Sequence, residues 1–464
     1  MAIEQGRVHF IGIGGYGMSA LARVLLDRGV PVSGSDVASK ALTEQLAARG
    51  ARVYIGHDAT HIDGAVRVVY STDIPKDNVE LVAAREKGIE LLHRSQLLAE
   101  LLNAGQGIAV SGAHGKTTTS SMIAFVMEKA GWDPTYVIGG EVVGLDGNAK
   151  AGRSPYVVAE ADESDGSFLH YTPQVAVVTN IEPDHLEHYG GDFERLKGAY
   201  RQFLRQVRPD GFAVLCVDCA NLRSMIEAVP ARVVTYGLHT PADYTAVDVE
   251  TGDRRIAFTA VRRGETLGRV TVAVPGVHNV ANALACLAVC LELGMPFDVV
   301  ARHLGAFRGA KRRFQVMGEA GGVLVVDDYA HHPTEIQATL RAAKDTGRRV
   351  IAVFQPQRYT RTALLLDEFS RAFGEADEVI IADIYSPAGE TPIPGVSSER
   401  LVDLIRERSN PRAAYIPDHA GIVAELLRRV REGDLVLTMG AGDIWKVAEA
   451  LVGQLQGKKA PQKP

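Results

Sequence analysis

At 464 residues, with 46% hydrophobic and 23% charged side chains, the chain has an ordinary globular composition and length for about two to four domains. A formal net charge of −6 argues against non-specific binding to nucleic acid or anionic membrane, while leaving room for a local basic pocket around a phosphorylated substrate. No apolar run reaches the ~18 residues of a membrane span, and the N-terminus lacks a secretory pattern. Four cysteines make no disulfide scaffold, so a cytoplasmic location is expected. Cys216 and Cys219 form a lone C-x-x-C without a second pair or nearby histidine, and read as structural. Cys286 and Cys290 read as helix core.

Short apolar runs alternate with helical patterns, the signature of βαβ units and parallel sheets. The first segment carries a strand at Val8–Ile13, a helix near Met18–Arg28, and strands at Val32–Ser35, Arg67–Tyr70 and Glu90–Leu92. A second unit opens with the strand Gly107–Ser111 and a helix from about Lys116 to Ala130. It continues through strands Tyr156–Ala159, Val175–Thr179, Phe212–Val217 and Arg254–Thr259, and a helix containing Asn282–Cys290. The third has strands Val323–Val326, Arg349–Phe354, Glu378–Ala382 and Asp434–Thr438, each followed by a helical pattern. The Lys/Gly/Pro-rich tail Gly457–Pro464 reads as disordered. The expected fold is α/β in three domains: an N-terminal Rossmann-like domain (1–97), a central P-loop ATPase-like domain with a mainly parallel sheet (98–309), and a C-terminal Rossmann-like domain (310–464).

The strongest motif is Gly112-Ala113-His114-Gly115-Lys116-Thr117-Thr118-Thr119, between an apolar strand and a helix. Glycines let backbone N–H groups curl around phosphate oxygens at the positive end of the following helix. Lys116 can reach the β- and γ-phosphates, and the Thr117 hydroxyl can ligate Mg²⁺. Val110 occupies the place of the first glycine in the full G-x-x-x-x-G-K-[ST] pattern. Glu160 ends a neighbouring strand within an acidic run that also holds Asp162, Glu163 and Asp165. Acids this dense need solvent or cations, and Glu160 lies where a crevice would open. Asp184 and His185 follow the next strand, where they could add a metal ligand.

Gly12-Ile13-Gly14-Gly15-Tyr16-Gly17, with Asp36 some twenty residues on, matches a dinucleotide fingerprint. Alone it suggests an NAD-dependent oxidoreductase. Physically it states that a diphosphate lies on a helix N-terminus near a ribose-like group, which a UDP-sugar also satisfies. The third segment offers Arg312-Arg313-Phe314, Asp327 to Pro333 and Arg358-Tyr359-Thr360-Arg361. Pro333 suits the first turn of a helix through Lys344, which puts Asp328 to His332 on a strand-to-helix loop. Arg358 and Arg361 could clamp a carboxylate. Gly440-Ala441-Gly442 reads as a tight turn.

In this order the motifs resemble the Mur ligase family over nearly the whole chain. The carrying residues are Gly12–Gly17 with Ser33–Asp36, His114–Thr119, Glu160–Phe168, Thr179–His185, His278, Asn279 and Asn282, Arg312–Gln315, Asp327–Glu335 and Arg358–Arg361. The resemblance implies domains that take UDP-sugar, ATP and amino acid in turn, and is nearest to bacterial members that join L-alanine to the lactyl carboxylate of UDP-N-acetylmuramate through an acyl phosphate. It places Gly112, His114, Gly115, Lys116, Thr117, Thr118, His278, Asn279, Asn282, Arg313 and Asp328 around ATP. Thr117, Glu160 and His185 would hold magnesium. Gly12, Gly14, Gly15, Gly17, Asp36, Ser71 and Arg94 would hold the UDP-sugar, and Tyr329, His331, Arg358 and Arg361 the alanine. Lys116, His185 and Arg358 carry the catalytic expectation. Gln357 departs from the histidine common before the arginine. Lys197 is the nearest lysine to the one carbamylated in several relatives, but its spacing from His185 is too short.

The alternatives are a family member adding another amino acid or a peptide to the same sugar nucleotide, and the oxidoreductase. The latter leaves the phosphate loop unexplained. A nucleotide-binding switch would not need the third-segment loops. Peptidoglycan precursor synthesis, a monomer or weak homodimer, and no nucleic-acid or membrane partner complete the expectation.

Overall fold

The computed structural model describes residues 6–184, 186–252, 254–386 and 390–457. The tail residues 458–464 and His185 lie outside them. The chain forms two compact units, Met1–Val247 with Thr259–Arg269 and Ala281–Phe307, and Asp248–Phe258 with Val270–Val280 and Arg308–Pro464. Three sheets organise the α/β architecture.

The first sheet has five strands in the order Arg52–Ile55, Val32–Asp36, Arg7–Ile11, Ala65–Tyr70 and Glu90–His93, all parallel. Strand order reverses beside Arg7–Ile11, the switch point at which such folds open a crevice at their carboxyl ends. The strand ends at Ile11 rather than Ile13, because Gly12 turns with φ +77° and both Gly12 and Ile13 donate to the Ser35 carbonyl. Arg52–Ile55 was not anticipated. It is an edge strand with no fully buried residue, so it lacks the apolar alternation that marks a half-buried strand.

The second sheet runs Glu265–Val272, Arg255–Arg262, Tyr244–Gly252, Arg232–Tyr236, Phe212–Cys216, Val175–Val178, Gln106–Ser111, Tyr156–Glu160, Thr135–Val137 and Ala149–Lys150. Its centre is parallel and mostly apolar. Val175–Val178 pairs with Ile108–Ser111 on one side and Phe212–Leu215 on the other. Burial on both faces selects continuous Val and Ala runs there. The peripheral strands Tyr244–Gly252 and Glu265–Val272 are polar and largely exposed, which hid them from a hydrophobicity reading. Cys286 and Cys290 are buried in the helix His278–Glu292, and all four cysteines are free thiols.

The third sheet has the order Gln315–Ala320, Val323–Asp328, Asp434–Met439, Arg349–Phe354, Glu378–Ile381 and Ala413–Tyr415. Alternation along its strands builds two cores. Leu324, Val326, Val350, Ala352, Phe354, Leu435 and Leu437 face the helices that carry Ile336, Leu340, Phe369, Leu401 and Ile405, with Phe373 added from the turn after one of them. Val323, Val325, Ile351, Val353 and Val436 meet Ile422, Leu426, Val447, Leu451 and Leu455 on the other side. The strand period of two therefore dictates a three-layer sandwich. The helix Pro333–Lys344 starts on Pro333, with His332 as its cap.

Candidate functional site

The phosphate loop leaves the strand Gln106–Ser111 and enters the helix Lys116–Lys129. Two glycines make the turn possible. Gly112 has φ +130°, and a β-carbon there would lie 2.1 Å from Thr179 Oγ1; Gly115, at φ +85°, would meet Asn282 Oδ1 at 2.8 Å. Gly112 thus takes the close-approach role that Val110 cannot. The loop is clamped from the next strand. Thr179 Oγ1 and Asn180 Nδ2 donate to the His114 carbonyl at 2.5 and 3.0 Å, and Asn180 Oδ1 accepts the His114 N–H at 2.9 Å. Thr119 Oγ1 donates to Asn282 Oδ1 at 3.2 Å, which puts Asn282 on the loop's first helical turn.

The Lys116 ammonium donates to Glu163 Oε1 and Oε2 at 2.8 and 3.0 Å and to the Gly112 carbonyl at 2.5 Å. Burial works to lower the lysine pKa, but Glu163, Asp162 and Glu160 raise it above its ordinary value, so the ammonium stays charged. Glu160 accepts from Thr117 Oγ1 at 3.2 Å, Ser120 Oγ at 3.3 Å and the Gly139 N–H at 2.6 Å. A hydroxyl and a carboxylate side by side are hard oxygen donors of the kind magnesium selects. His114 Nε2 and Glu182 Oε2 are 3.2 Å apart. Lys197 pairs with Glu194 and lies over the Phe193 ring.

In the glycine loop, Asp36 is buried and does more than wait for a ribose. Its Oδ2 accepts the Gly14 N–H at 2.9 Å and its Oδ1 the Lys40 ammonium at 3.0 Å. A β-carbon on Gly14 would meet Asp36 Oδ2 and Thr43 Cγ2, each at 2.8 Å. The Arg94 guanidinium lies beside Gly17, since a β-carbon on that glycine would sit 3.6 Å from Nη1. Ser71 follows the strand Ala65–Tyr70, half-buried. Within this unit the glycine loop and the phosphate loop share neighbours. Burial, then the charges of Glu141 and Glu160, raise the Tyr16 hydroxyl pKa. Asp162 is pulled down, against burial, by Lys116 and in part by Arg94.

A buried cluster deeper in the same domain carries no expectation from sequence. Glu80, with no exposed surface, accepts from Ser35 Oγ at 2.5 Å and meets His61 Nδ1 at 2.7 Å and His57 Nδ1 at 3.1 Å. His9 Nε2 lies 3.7 Å from the same carboxylate.

The second unit gathers the third-segment residues. Asp328 accepts the N–H groups of Phe314 at 2.6 Å and Ala330 at 2.7 Å, and burial pushes its pKa up to about 6 against the pull of Arg313. Burial, aided by Arg313, takes His278 down to about 4. The two adjacent arginines divide their work. Arg312 binds Asp327 at 2.8 Å and the carbonyls of Gly440 and Gly442, so that turn is an acceptor for a structural clamp. Both guanidiniums lie over the Tyr329 ring, Arg312 at 5.0 Å and Arg313 at 5.5 Å, and Arg313 also reaches Glu335, at 3.9 Å. His331 contacts the Tyr329 carbonyl at 3.0 Å; burial lowers it to about 4, opposed by Glu335 and assisted by Arg361 and Arg313. Arg361 donates to Gln357 Oε1 at 3.2 Å. Arg358 is exposed with φ +68°, its N–H on the Tyr385 carbonyl. A left-handed non-glycine residue stores strain of about 1–3 kcal/mol, which tends to collect at functional loops. Asn279 Nδ2 donates to the Pro275 carbonyl at 2.6 Å.

Three family models match the chain in order: the Mur ligase family catalytic domain over residues 7–106, the Mur ligase middle domain over 110–290, and the Mur ligase glutamate ligase domain over 312–442. The chain belongs to the Mur ligase family. Among its relatives, the UDP-N-acetylmuramate–L-alanine ligase of Symbiobacterium thermophilum is 54% identical, covering 98% of this chain and 96% of that protein. The ligase of the same name from Pelotomaculum thermopropionicum is 49% identical over 98% of both. A crystal structure of UDP-N-acetylmuramate-alanine ligase MurC from Thermotoga maritima aligns with TM-score 0.83 at 28% identity, over 98% of this chain and all of that one.

In this Mur ligase, sequence reasoning did not find the Thr179–Asn180 clamp, the Glu163–Lys116 pair or the structural role of Arg312. The first two join residues 47 or more positions apart. Two adjacent arginines carry no signal of which is the clamp.

Proposed function

We infer that this Mur ligase uses ATP to join L-alanine to the lactyl carboxylate of UDP-N-acetylmuramate, in the synthesis of peptidoglycan precursors in the bacterial cytoplasm. The observation that carries the reading is the phosphate loop with its Lys116–Glu163 pair and the Thr117–Glu160 contact, in one unit with a glycine loop that has Arg94 beside Gly17 and electrostatic coupling of Tyr16 to Glu160 and of Arg94 to Asp162. A nucleotide-sugar on the glycine loop and ATP on the phosphate loop would supply the carboxylate and the γ-phosphate that phosphoryl transfer needs. The names of the full-length relatives support the same substrates.

In this mechanism the carboxylate attacks the γ-phosphate, giving an acyl phosphate and ADP. The alanine amine then attacks the acyl carbon and phosphate departs. Lys116 neutralises phosphate charge and the loop N–H groups orient it, so catalysis is mainly positioning and electrostatics. Thr117 and Glu160 would hold magnesium, with His185 as the expected further ligand; bound there, the ion neutralises charge on the β- and γ-phosphates. His278, Asn279, Asn282, Arg313 and Asp328 serve the nucleotide, and Tyr329, His331, Arg358 and Arg361 the amino acid. The domains are 1–97 for UDP-sugar, 98–309 for ATP and 310–464 for alanine, in a monomer or weak homodimer. ADP release is expected with UDP-N-acetylmuramate, ATP and alanine, and to fall well below that with glycine or serine. ADP release that requires a peptide in place of alanine would replace this reading with a peptide-adding one.

A further inference from the structure

The Glu163 side chain is 2% exposed, and its backbone is fixed by the Tyr189 hydroxyl, which donates to the Glu163 carbonyl at 2.6 Å. Its carboxylate accepts one hydrogen bond from the Lys116 ammonium on each oxygen, and its own backbone N–H also supports it. An ammonium has three N–H donors. Two serve Glu163, and the third serves the loop itself, chiefly the Gly112 carbonyl, with the Ala113 carbonyl farther off at 3.4 Å.

A swing of Lys116 away from Glu163 would leave an uncompensated buried carboxylate, which is strongly unfavourable. The Gly112 carbonyl, part of the loop backbone that a phosphate would approach, is the cheaper partner to give up. Phosphate can therefore capture the third donor while the other two remain on the acid.

We propose that Glu163 is a positioning residue, a buried acid that holds Lys116 by two of its three protons and leaves the third to pass from the Gly112 carbonyl to the nucleotide phosphate. This rests on the reading that Lys116 serves ATP. Two consequences of opposite sign follow. The acid offsets the lysine charge and so restrains nucleotide binding, while it fixes the ammonium in the position from which it stabilises the transferring phosphoryl group. A part that serves only folding would weaken both together.

The test separates binding from turnover. ATP affinity is measured by calorimetry in excess chelator, where no metal contributes, and kcat by ADP release with magnesium. Glu163→Gln is expected to bind ATP at least threefold more tightly and to lose at least tenfold in kcat, with its affinity for UDP-N-acetylmuramate within twofold of wild type. Glu163→Asp, which keeps the charge on a shorter arm, should return ATP affinity to the wild-type value and recover part of kcat. A Glu163→Gln protein with kcat within twofold of wild type, or with ATP affinity weakened alongside kcat, overturns the proposal. Should Glu163→Gln not fold, Glu163→Asp decides: a several-fold lower kcat at unchanged ATP affinity supports the role, and wild-type values of both overturn it. Lys116→Ala tests the underlying reading separately. If that variant keeps normal ATP affinity and turnover, the assignment of Lys116 to ATP fails, whatever Glu163 does.

Discussion

Replacing Gly112 by alanine should disable ATP use through two costs that the structure allows to be separated. At φ +130° the backbone lies where an L side chain is strained, by about 1–3 kcal/mol. The new β-carbon would also stand 2.1 Å from Thr179 Oγ1 and about as close as contact permits to Asn180, at 3.0 Å from its nitrogen and 3.1 Å from its oxygen. The hydroxyl must then leave the His114 carbonyl it holds at 2.5 Å, and crowding of this kind typically adds about 1–3 kcal/mol. Together the loss is about 2–6 kcal/mol. Gly191→Ala is the matched control, because its φ is +77° but nothing lies within 4 Å of the added carbon; it carries the conformational cost alone. Trp132, stacked on Tyr156 at 5.1 Å, reports unfolding of the central sheet once Trp445 is changed to Phe in a common background. Denaturant titration in that background should show Gly112→Ala losing more stability than Gly191→Ala, with ATP-dependent turnover falling at least 100-fold and UDP-sugar affinity within twofold. Equal stability of the two variants together with near-normal turnover would refute the close-packed loop.

Two further outcomes concern buried carboxylates. Burial works to raise the Glu80 pKa, but the nearby His9 ring, 3.7 Å away, and hydrogen bonds with Ser35 and His61 take it down from 4.5 to about 2. A depressed folded pKa gives stability that is present above the unfolded value and lost on acidification, here between about pH 4.5 and pH 2. At about 1.4 kcal/mol per unit that is at most about 3 kcal/mol; Glu80→Gln should flatten this part of the pH–stability curve, and an unchanged curve would show that the cluster stores no such energy. Asp328 has the opposite sign, because burial raises its pKa from 3.8 to about 6. Its ionisation costs stability as pH rises through that interval, by about 3 kcal/mol at most. Asp328→Asn should therefore gain on wild type in denaturation between pH 4 and pH 7 while losing at least tenfold in turnover; a parallel pair of pH curves would contradict the burial account.

Local pattern determined much of this protein. Strand-to-helix junctions with glycine or proline announced the phosphate loop, the glycine loop and the start of Pro333–Lys344. Apolar runs located the central strands, because burial on both faces leaves a continuous signature. Edge strands such as Arg52–Ile55 and polar ones such as Tyr244–Gly252 left none, since their stability comes from backbone pairing with neighbours distant in sequence. The site divides the same way. That Lys116, Thr117 and Glu160 lie near one another was legible from residue type and place, and the order of motifs was enough for the family. Only the tertiary structure decided which acid holds Lys116, that Thr179 and Asn180 clamp the loop, that Asp36 binds Gly14 and Lys40, and that Arg312 rather than Arg313 braces Asp327 and the Gly440–Gly442 turn. Most of these join residues far apart in sequence that the fold brings together. Spacing along one strand or helix predicts the face a residue occupies, but not its partner on another element.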